Sequence, residues 1–585
     1  MQREVICFGE FELNLRAREL SKHGERIRLQ DQPFLVLAML LERPGDVVTR
    51  DEIRARLWPD GTTVDFDHSV NAAIKRLRAA LGDLAERPHY VETLHRRGYR
   101  LIAPLVPSAA TEHLSPARIK PRVIVLPFDN LSEAPAQDYF SDGLTEEMIA
   151  QLGRLFGSRV GVIARTSSMQ LKGAKLTAGE IGRTTGTEYL VEGSVRRDRD
   201  RVRITAQLIE TRGETHLWAQ SYERELSDMI GVQTDVAAAI ASSLMIELLP
   251  GAGPAPLSGT QSADAHQAYL KGRFHWNRPG DAGLQAAMVY FDEAIALDPS
   301  YAAAHAGRSR CYISMAEYYH DTPRNMLELA RAAAERALEI DAWDPEANIA
   351  RAECLRAADW DSAGAEAAYQ RAFVGNASFH AAHRYYAQFL AVRGRLDEAA
   401  VVADRASELD PFCMATSLSL ALVHSYAGQY EPVISRCLHI LDMDPEFVPA
   451  RRVMAAALGQ LGRHQEALDE LQLLTSRPQD PVSAACFGHA LAIAGERRRA
   501  EAVRQQINDL TQRQFVPALY TAMLDAGLGD LDRAFANLET AGEQRDPWLD
   551  TVAVDPRFAP LRVDPRFGSL MSRIGLKSGY PLGAT

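Results

Sequence analysis

His68-Ser69-Val70-Asn71-Ala72-Ala73-Ile74-Lys75-Arg76-Leu77-Arg78-Ala79-Ala80-Leu81 is the stretch on which the fold turns. Val70, Ile74, Leu77 and Leu81 recur at helical spacing, which commits one face of a helix over residues 68–81 to a core. At about 100° per residue the opposite face carries His68, Ala72, Lys75, Arg76 and Ala79, with Ser69, Asn71 and Arg78 on the flanks. A face that mixes small residues with cations suits the DNA major groove. Lys and Arg reach phosphates or guanine edges, while Ala and Ser permit close approach.

The flanking sequence supplies the rest of a small domain. Thr49-x-x-Glu52 is a capping box that opens a short helix with Ile53 and Leu57 inward. Before it, Pro33 can begin a helix in which Phe34, Leu37, Ala38 and Leu41 keep helical spacing until Pro44-Gly45. Phe8, Phe11, Leu13, Leu20, Ile27 and Leu29, set between polar turns, predict a small antiparallel sheet. After residue 81, Tyr90–Leu94 and Gly98–Ile102 read as two strands joined through His95-Arg96-Arg97. Helix, turn, helix and a basic-tipped hairpin make a winged helix-turn-helix. Arginines at its tip suit a minor groove or the phosphate backbone.

Residues 5–103 resemble the DNA-binding effector domain of the OmpR/PhoB family, in the form found at the N-terminus of ToxR-, CadC- and HilA-like regulators. The resemblance is carried by Leu57-Trp58-Pro59, by Ser69-Val70-Asn71-x-x-Ile74-Lys75-Arg76-Leu77-Arg78-x-x-Leu81, and by Val91-Glu92-Thr93 with Arg97-Gly98-Tyr99-Arg100-Leu101. It implies base and phosphate contacts from Ser69, Asn71, Ala72, Lys75, Arg76 and Arg78, with wing contacts from Arg96 or Arg97. It also implies dimeric engagement of tandem half-sites. Double-stranded promoter or operator DNA is the expected partner, and RNA polymerase contact is one way such a regulator would act. No receiver-like block precedes these residues and no membrane helix follows them, so neither aspartate phosphorylation nor transmembrane signalling is expected.

Proline and glycine cluster at residues 104–121 and 250–263, which predicts linkers there. The expected division is a winged helix over 1–105, a linker over 106–121, an α/β block over 122–249 and a second linker over 250–263. A repeat array follows over 264–545, then a cap and tail over 546–585. In the α/β block, Arg122–Phe128 reads as a buried strand, Tyr139–Leu155 as a helix and Val160–Ala164 as a strand. Thr177-x-x-Glu180 is another capping box, stopped at Gly186, and residues 188–197 and 201–210 alternate as a hairpin. A helix is expected from about Met229 to Leu248. This block resembles the TolB-N-terminal-like domain through Val125-Leu126-Pro127-Phe128-Asp129-Asn130-Leu131, Tyr139-Phe140-Ser141-Asp142-Gly143, Glu192-Gly193-Ser194-Val195-Arg196, Val202–Leu208 and Leu217-Trp218-Ala219.

In the third block Gly394, Gly428, Gly462, Gly495 and Gly529 recur at intervals of 34, 34, 33 and 34 residues. Asp-Pro closes units at 298–299, 344–345, 410–411 and 444–445. A helix-turn-helix period of this length resembles the tetratricopeptide repeat, in seven or eight units, degenerate between 346 and 380. Stacked units leave a groove that commonly holds a peptide or partner helix, so a protein or peptide partner is implied. Asp546-Pro547-Trp548, Asp555-Pro-Arg-Phe558 and Asp564-Pro-Arg-Phe567 look like a terminal cap. The fold class is therefore multidomain and mainly α: winged helix, central α/β domain and C-terminal α-solenoid.

The 585 residues carry a formal net charge of −12, which excludes a chain that coats nucleic acid along its length. Residues 1–105 hold 17 Lys+Arg against 16 Asp+Glu, leaving 48 against 61 beyond them, so any DNA-binding surface is local. Six scattered cysteines without C-x-x-C point to neither disulfides nor zinc. The N-terminus lacks a signal-peptide core and no 18-residue apolar run occurs, which predicts a cytoplasmic protein. There is no P-loop, G-x-G-x-x-G, H-E-x-x-H or G-x-S-x-G, so no enzyme, cofactor or metal is expected. His380 and His383 at helical spacing lack a third ligand and read as packed repeat histidines. A sequence-specific transcription regulator is the function expected. A scaffold whose winged helix docks proteins is the alternative, distinguished by the absence of salt-dependent DNA affinity.

Overall fold

The computed structural model describes residues 5–8, 11–14, 19–22, 25–27, 29–42, 47–57, 66–83, 88, 90–94, 97–101, 105–106, 121–132, 138–157, 159–198, 201–225, 236, 239–240, 260, 262–277, 281–474 and 480–576. Contacts divide the chain between Ser115 and Pro116 into two compact units.

The first unit begins with β1 (Val5–Phe8), β2 (Phe11–Asn14), β3 (Glu19–Lys22) and β4 (Glu25–Ile27). Helices α1 (Asp31–Glu42), α2 (Arg50–Leu57) and α3 (Phe66–Leu81) follow, then the hairpin β5 (Val91–Leu94) and β6 (Gly98–Leu101). β7 (Leu105–Val106) returns to pair with β1, giving a five-stranded antiparallel sheet in the order β4-β3-β2-β1-β7. Phe11, Leu13 and Leu20 are buried in one core with Phe34, Leu37 and Leu40 of α1 and Val70, Ile74 and Leu77 of α3. The capping box closes as read: Glu52 N donates to Thr49 Oγ1 at 3.2 Å, and Thr49 N donates to Glu52 Oε2 at 2.7 Å.

In the second unit β8 (Arg122–Val125), β9 (Asp129–Asn130), β10 (Gly161–Val162), β11 (Tyr189–Asp198), β12 (Arg201–Glu210) and β13 (Thr215–Glu225) form a mixed sheet. Parallel pairs β10-β8 and β8-β11 continue into an antiparallel meander over β12 and β13. The long helix α4 (Asp138–Phe156) and the short α5 (Arg165–Gln170) and α6 (Ala178–Thr185) supply the connections. Thr177 and Glu180 cap α6 reciprocally and Gly186 ends it at φ 66°. β13 was not anticipated as a strand. Most of the helix expected over 229–248 lies outside the described residues.

Among the described residues, eight helix pairs follow. They are α7 (Ala263–Trp276) with α8 (Asp281–Leu297), α9 (Ala302–Glu317) with α10 (Pro323–Ile340), and α11 (Pro345–Cys354) with α12 (Ser362–Gly375). Next come α13 (His380–Val392) with α14 (Leu396–Leu409) and α15 (Met414–Tyr426) with α16 (Tyr430–Met443). α17 (Val448–Gln460) with α18 (His464–Gln472), α19 (Pro481–Ile493) with α20 (Arg497–Leu510), and α21 (Ala518–Gly527) with α22 (Leu531–Gln544) complete the array. Each period glycine sits between the helices of a pair in the left-handed region, from Gly462 at φ 73° to Gly495 at φ 82°, where a side chain is costly. The third pair is irregular because α11 runs on as a π-helical turn, Leu355–Asp359, which breaks its periodicity.

The sheet and the array pack as one body. Ala164 N donates to Leu409 O at 2.7 Å and Ser167 Oγ to Asp410 Oδ1 at 2.7 Å. Arg273 of α7 is buried between Glu146 of α4 and Glu346 of α11, with N–O distances of 2.5 Å to each. The Glu146 carboxyl, which burial alone would raise, is held below its ordinary range by Arg273 and Arg165.

Candidate nucleic-acid interface

The α3 helix turns Val70, Ala73, Ile74, Leu77 and Leu81 into the core and leaves Asn71, Lys75, Arg76 and Ala79 exposed, with Ala72 half-buried. One side of this helix is therefore fixed by burial and the other presents cations between small residues. Lys75 has no hydrogen-bond partner among the described residues. Arg76 Nη1 donates to Gln30 Oε1 at 2.9 Å, a solvent-exposed bond that restrains the guanidinium without burying it. Asn71 Oδ1 accepts from Tyr99 Oη at 2.9 Å, which ties the helix to the hairpin.

Arg78 is placed differently. It is half-buried, and its Nη2 donates to Val91 O at 2.7 Å and Thr93 Oγ1 at 2.8 Å. This clamps α3 to β5, the strand whose start is also fixed by Val91 N donating to the buried Asp83 Oδ2 at 2.9 Å. Arg97 is exposed at the hairpin tip, where its N donates to Leu94 O at 2.9 Å. Arg96 and the Ser69 side chain lie outside the described residues.

Asp83 and Gln30 position this surface but lie outside every motif of the sequence, since turn carboxylates and polar loop residues carry no pattern of their own, and Tyr99 of the wing motif acts through its bond to Asn71. Gly98 has a clear local cause. It adopts φ +147°, and a Cβ there would lie 2.2 Å from Val48 O. Val48 and Tyr99 form a backbone bridge beside it, with Tyr99 N donating to Val48 O at 3.0 Å. Gly98→Ala is expected to cost roughly 1–3 kcal/mol in backbone strain alone and to break that bridge. Amide exchange at Tyr99 measures it, and unchanged protection would refute the strain.

The geometry defines the first unit as a winged helix-turn-helix domain, and residues 24–101 match the family described as "Transcriptional regulatory protein, C terminal". The chain carries an OmpR/PhoB-type DNA-binding domain of the transcriptional-regulator class, followed by tetratricopeptide-like repeats. Within that setting it is similar to "Transcriptional regulator HilA" of Salmonella typhimurium, 22% identical over 352 residues, covering 59% of this chain and 60% of that protein. It is also 32% identical over 320 residues to "Putative adenylate cyclase 3" of Rhizobium meliloti, covering 54% of this chain and 52% of that one. Among solved structures, the Klebsiella pneumoniae RstA DNA-binding domain in complex with RstA box is 32% identical, covering 17% of this chain and 97% of that chain, with a TM-score of 0.16. The chain thus spans between half and two thirds of the length of the two curated relatives.

Among the described residues no group of three or more His, Cys, Asp or Glu is placed to hold a metal ion. His383 Nε2 pairs with Ala377 O at 2.9 Å and His380 Nε2 with Asp410 Oδ2 at 3.3 Å. Burial lowers the His380 pKa and Asp410 opposes that shift. Among the described residues no helix is long and apolar enough to cross a membrane.

Proposed function

We propose that this chain is a sequence-specific DNA-binding transcriptional regulator that reads double-stranded promoter DNA through α3 and the β5–β6 tip. Lys75 and Arg76 stand exposed on a helix whose Val70, Ile74, Leu77 and Leu81 are buried on the opposite side, and this single observation carries the assignment. Lys75, Arg76 and Asn71 are the proposed groove contacts, with Ser69 and Ala72 beside them. Arg96 and Arg97 are the proposed backbone contacts at the wing. Arg78 is assigned to positioning the wing through Val91 and Thr93. The repeat array engages a protein partner, paired copies occupy tandem half-sites, and RNA polymerase is contacted at the promoter. A DNA target places the protein in the cytoplasm, and no catalytic step is assigned.

The test is selection of genomic fragments by the purified chain at two salt concentrations. One recurring motif is expected, and Arg97→Ala is expected to lower the salt slope by about 1 while leaving the motif unchanged. Failure to enrich any sequence at low salt would transfer the assignment to a scaffold whose winged helix docks proteins.

A further inference from the structure

Asp546-Pro547-Trp548 does more than close the end of the array. Leu549, Val552, Phe558 and Leu561 pack with Ala534, Phe535 and Leu538 of the last pair, as a cap should. The same segment also meets the second, third and fourth pairs, reaching residues 157 to 231 positions earlier in the chain. Tyr319 Oη donates to both carboxylate oxygens of Asp546 at 3.1 Å, and Trp548 Nε1 donates to Glu317 O at 3.3 Å. Arg356 Nη1 donates to Pro547 O at 2.7 Å and to both Asp550 oxygens at 3.0 Å. Arg393 adds a second cation 3.8 Å from Asp550.

Backbone strain collects at this contact. Among the described residues four that are not glycine have φ in the left-handed region, and three of them meet here: Tyr319 at 58°, Trp360 at 57° and Arg545 at 56°. Tyr319 occupies the turn position that Gly394 fills in the fourth pair, with the same bonds. Tyr319 N donates to Ala316 O and His320 N to Met315 O, as Gly394 N does to Ala391 O and Arg395 N to Leu390 O. Glycine would adopt this conformation without penalty, so a tyrosine there is explained by what its side chain does. It holds Asp546. Trp360, at the equivalent turn of the third pair, receives the Arg545 guanidinium 3.8 Å from its ring centroid. Arg356 itself lies on the π-helical turn Leu355–Asp359, an irregularity frequent at binding positions.

We propose that the first-helix face of the second to fourth pairs is a recognition site for an acidic segment of the form Asp-Pro-Trp-x-Asp, folded as a turn that runs into a short 3-10 helix, as Leu549–Ala553 does here. The chain's own residues 546–550 occupy it in cis, and the array's protein partner presents the same chemistry, two carboxylates flanking an indole, and displaces them. This deepens the protein-binding role proposed for the array and rests on it. The cis fit leaves a cavity of about 20 Å³ beside Trp548, lined by Phe389, Leu422 and Tyr426.

The probe is a fluorescein-labelled peptide of residues 544–553, titrated by anisotropy into the full wild-type chain and the full Trp548→Ala/Asp550→Ala chain. The variant is expected to bind the peptide saturably and at least tenfold tighter than wild type, where the tethered segment competes at high effective concentration. A peptide carrying the same two substitutions is expected to bind neither chain. Equal binding of both peptides, or no binding by a variant that keeps the wild-type circular dichroism at the assay temperature, overturns the proposal. If the alanine variant loses helical signal, Trp548→Phe/Asp550→Asn replaces it under the same two outcomes. No DNA enters the assay, so its failure leaves the winged-helix assignment standing, and a failed fragment selection leaves this one.

Discussion

Lys75→Ala/Arg76→Ala is expected to remove the selected motif from the fragment pool while leaving the chain as stable as wild type. A well-placed arginine contact to a guanine edge contributes about 1–3 kcal/mol of specific binding, so Arg76→Ala alone lowers affinity by roughly tenfold or more. Losing Lys75 as well removes a phosphate neutraliser and flattens the salt dependence. Both side chains are exposed, so the stability change stays within about 0.5 kcal/mol. Arg78→Ala supplies the contrast. Its bonds to Val91 O and Thr93 Oγ1 join helix to hairpin, so it is expected to lower the unfolding midpoint of the first unit along with DNA affinity. Competitive binding to the selected motif against scrambled DNA, with melting in parallel, decides both. If Lys75→Ala/Arg76→Ala leaves affinity unchanged, α3 is not the reading helix. If Arg78→Ala lowers affinity without lowering the midpoint, Arg78 is a DNA contact and its positioning role is wrong.

Local signals carried well from sequence to structure. The apolar spacing of Val70, Ile74 and Leu77 marked the buried face of α3, both capping boxes closed, and the period glycines fell at left-handed turns. Each depends on residues within a few positions of one another, so periodicity records it. What stayed hidden depends on distant partners. Arg78 and Arg76 look alike in the sequence, because an arginine that clamps a strand has the same composition as one that reaches DNA. β7 is two residues long and sits in a proline-rich stretch read as linker, yet Cys7 and Phe8 of β1 find it across the sheet. The π-helical turn at Leu355–Asp359 broke the repeat pattern where Arg356 is needed. The chain's own C-terminal segment meets the first-helix face of the second to fourth pairs, a contact with no periodic trace.

Arg356→Met is expected to be the most damaging single change in the second unit. The guanidinium bridges Glu353 at 2.6 Å and Asp550 at 3.0 Å, and all three side chains are no more than 8% exposed. Burial alone would lower the Arg356 pKa, yet Asp550 and Glu353 beside it raise it well above the ordinary arginine value, so the group stays charged. Removing it leaves two buried carboxylates facing each other with only Arg393 near Asp550, and Tyr369 donating to Glu353. Breaking a buried pair from one side costs about 3–5 kcal/mol, because the remaining charge is uncompensated. Urea unfolding of the full chain, followed by far-ultraviolet circular dichroism, reads the loss as a lowered midpoint of the repeat transition. Adding Glu353→Gln and Asp550→Asn to Arg356→Met neutralises the orphaned charges, and most of the midpoint is expected to return. A single variant that loses less than about 1 kcal/mol would show that the ion pair is open to water, and the C-terminal segment would then be no more than a loosely apposed end of the array.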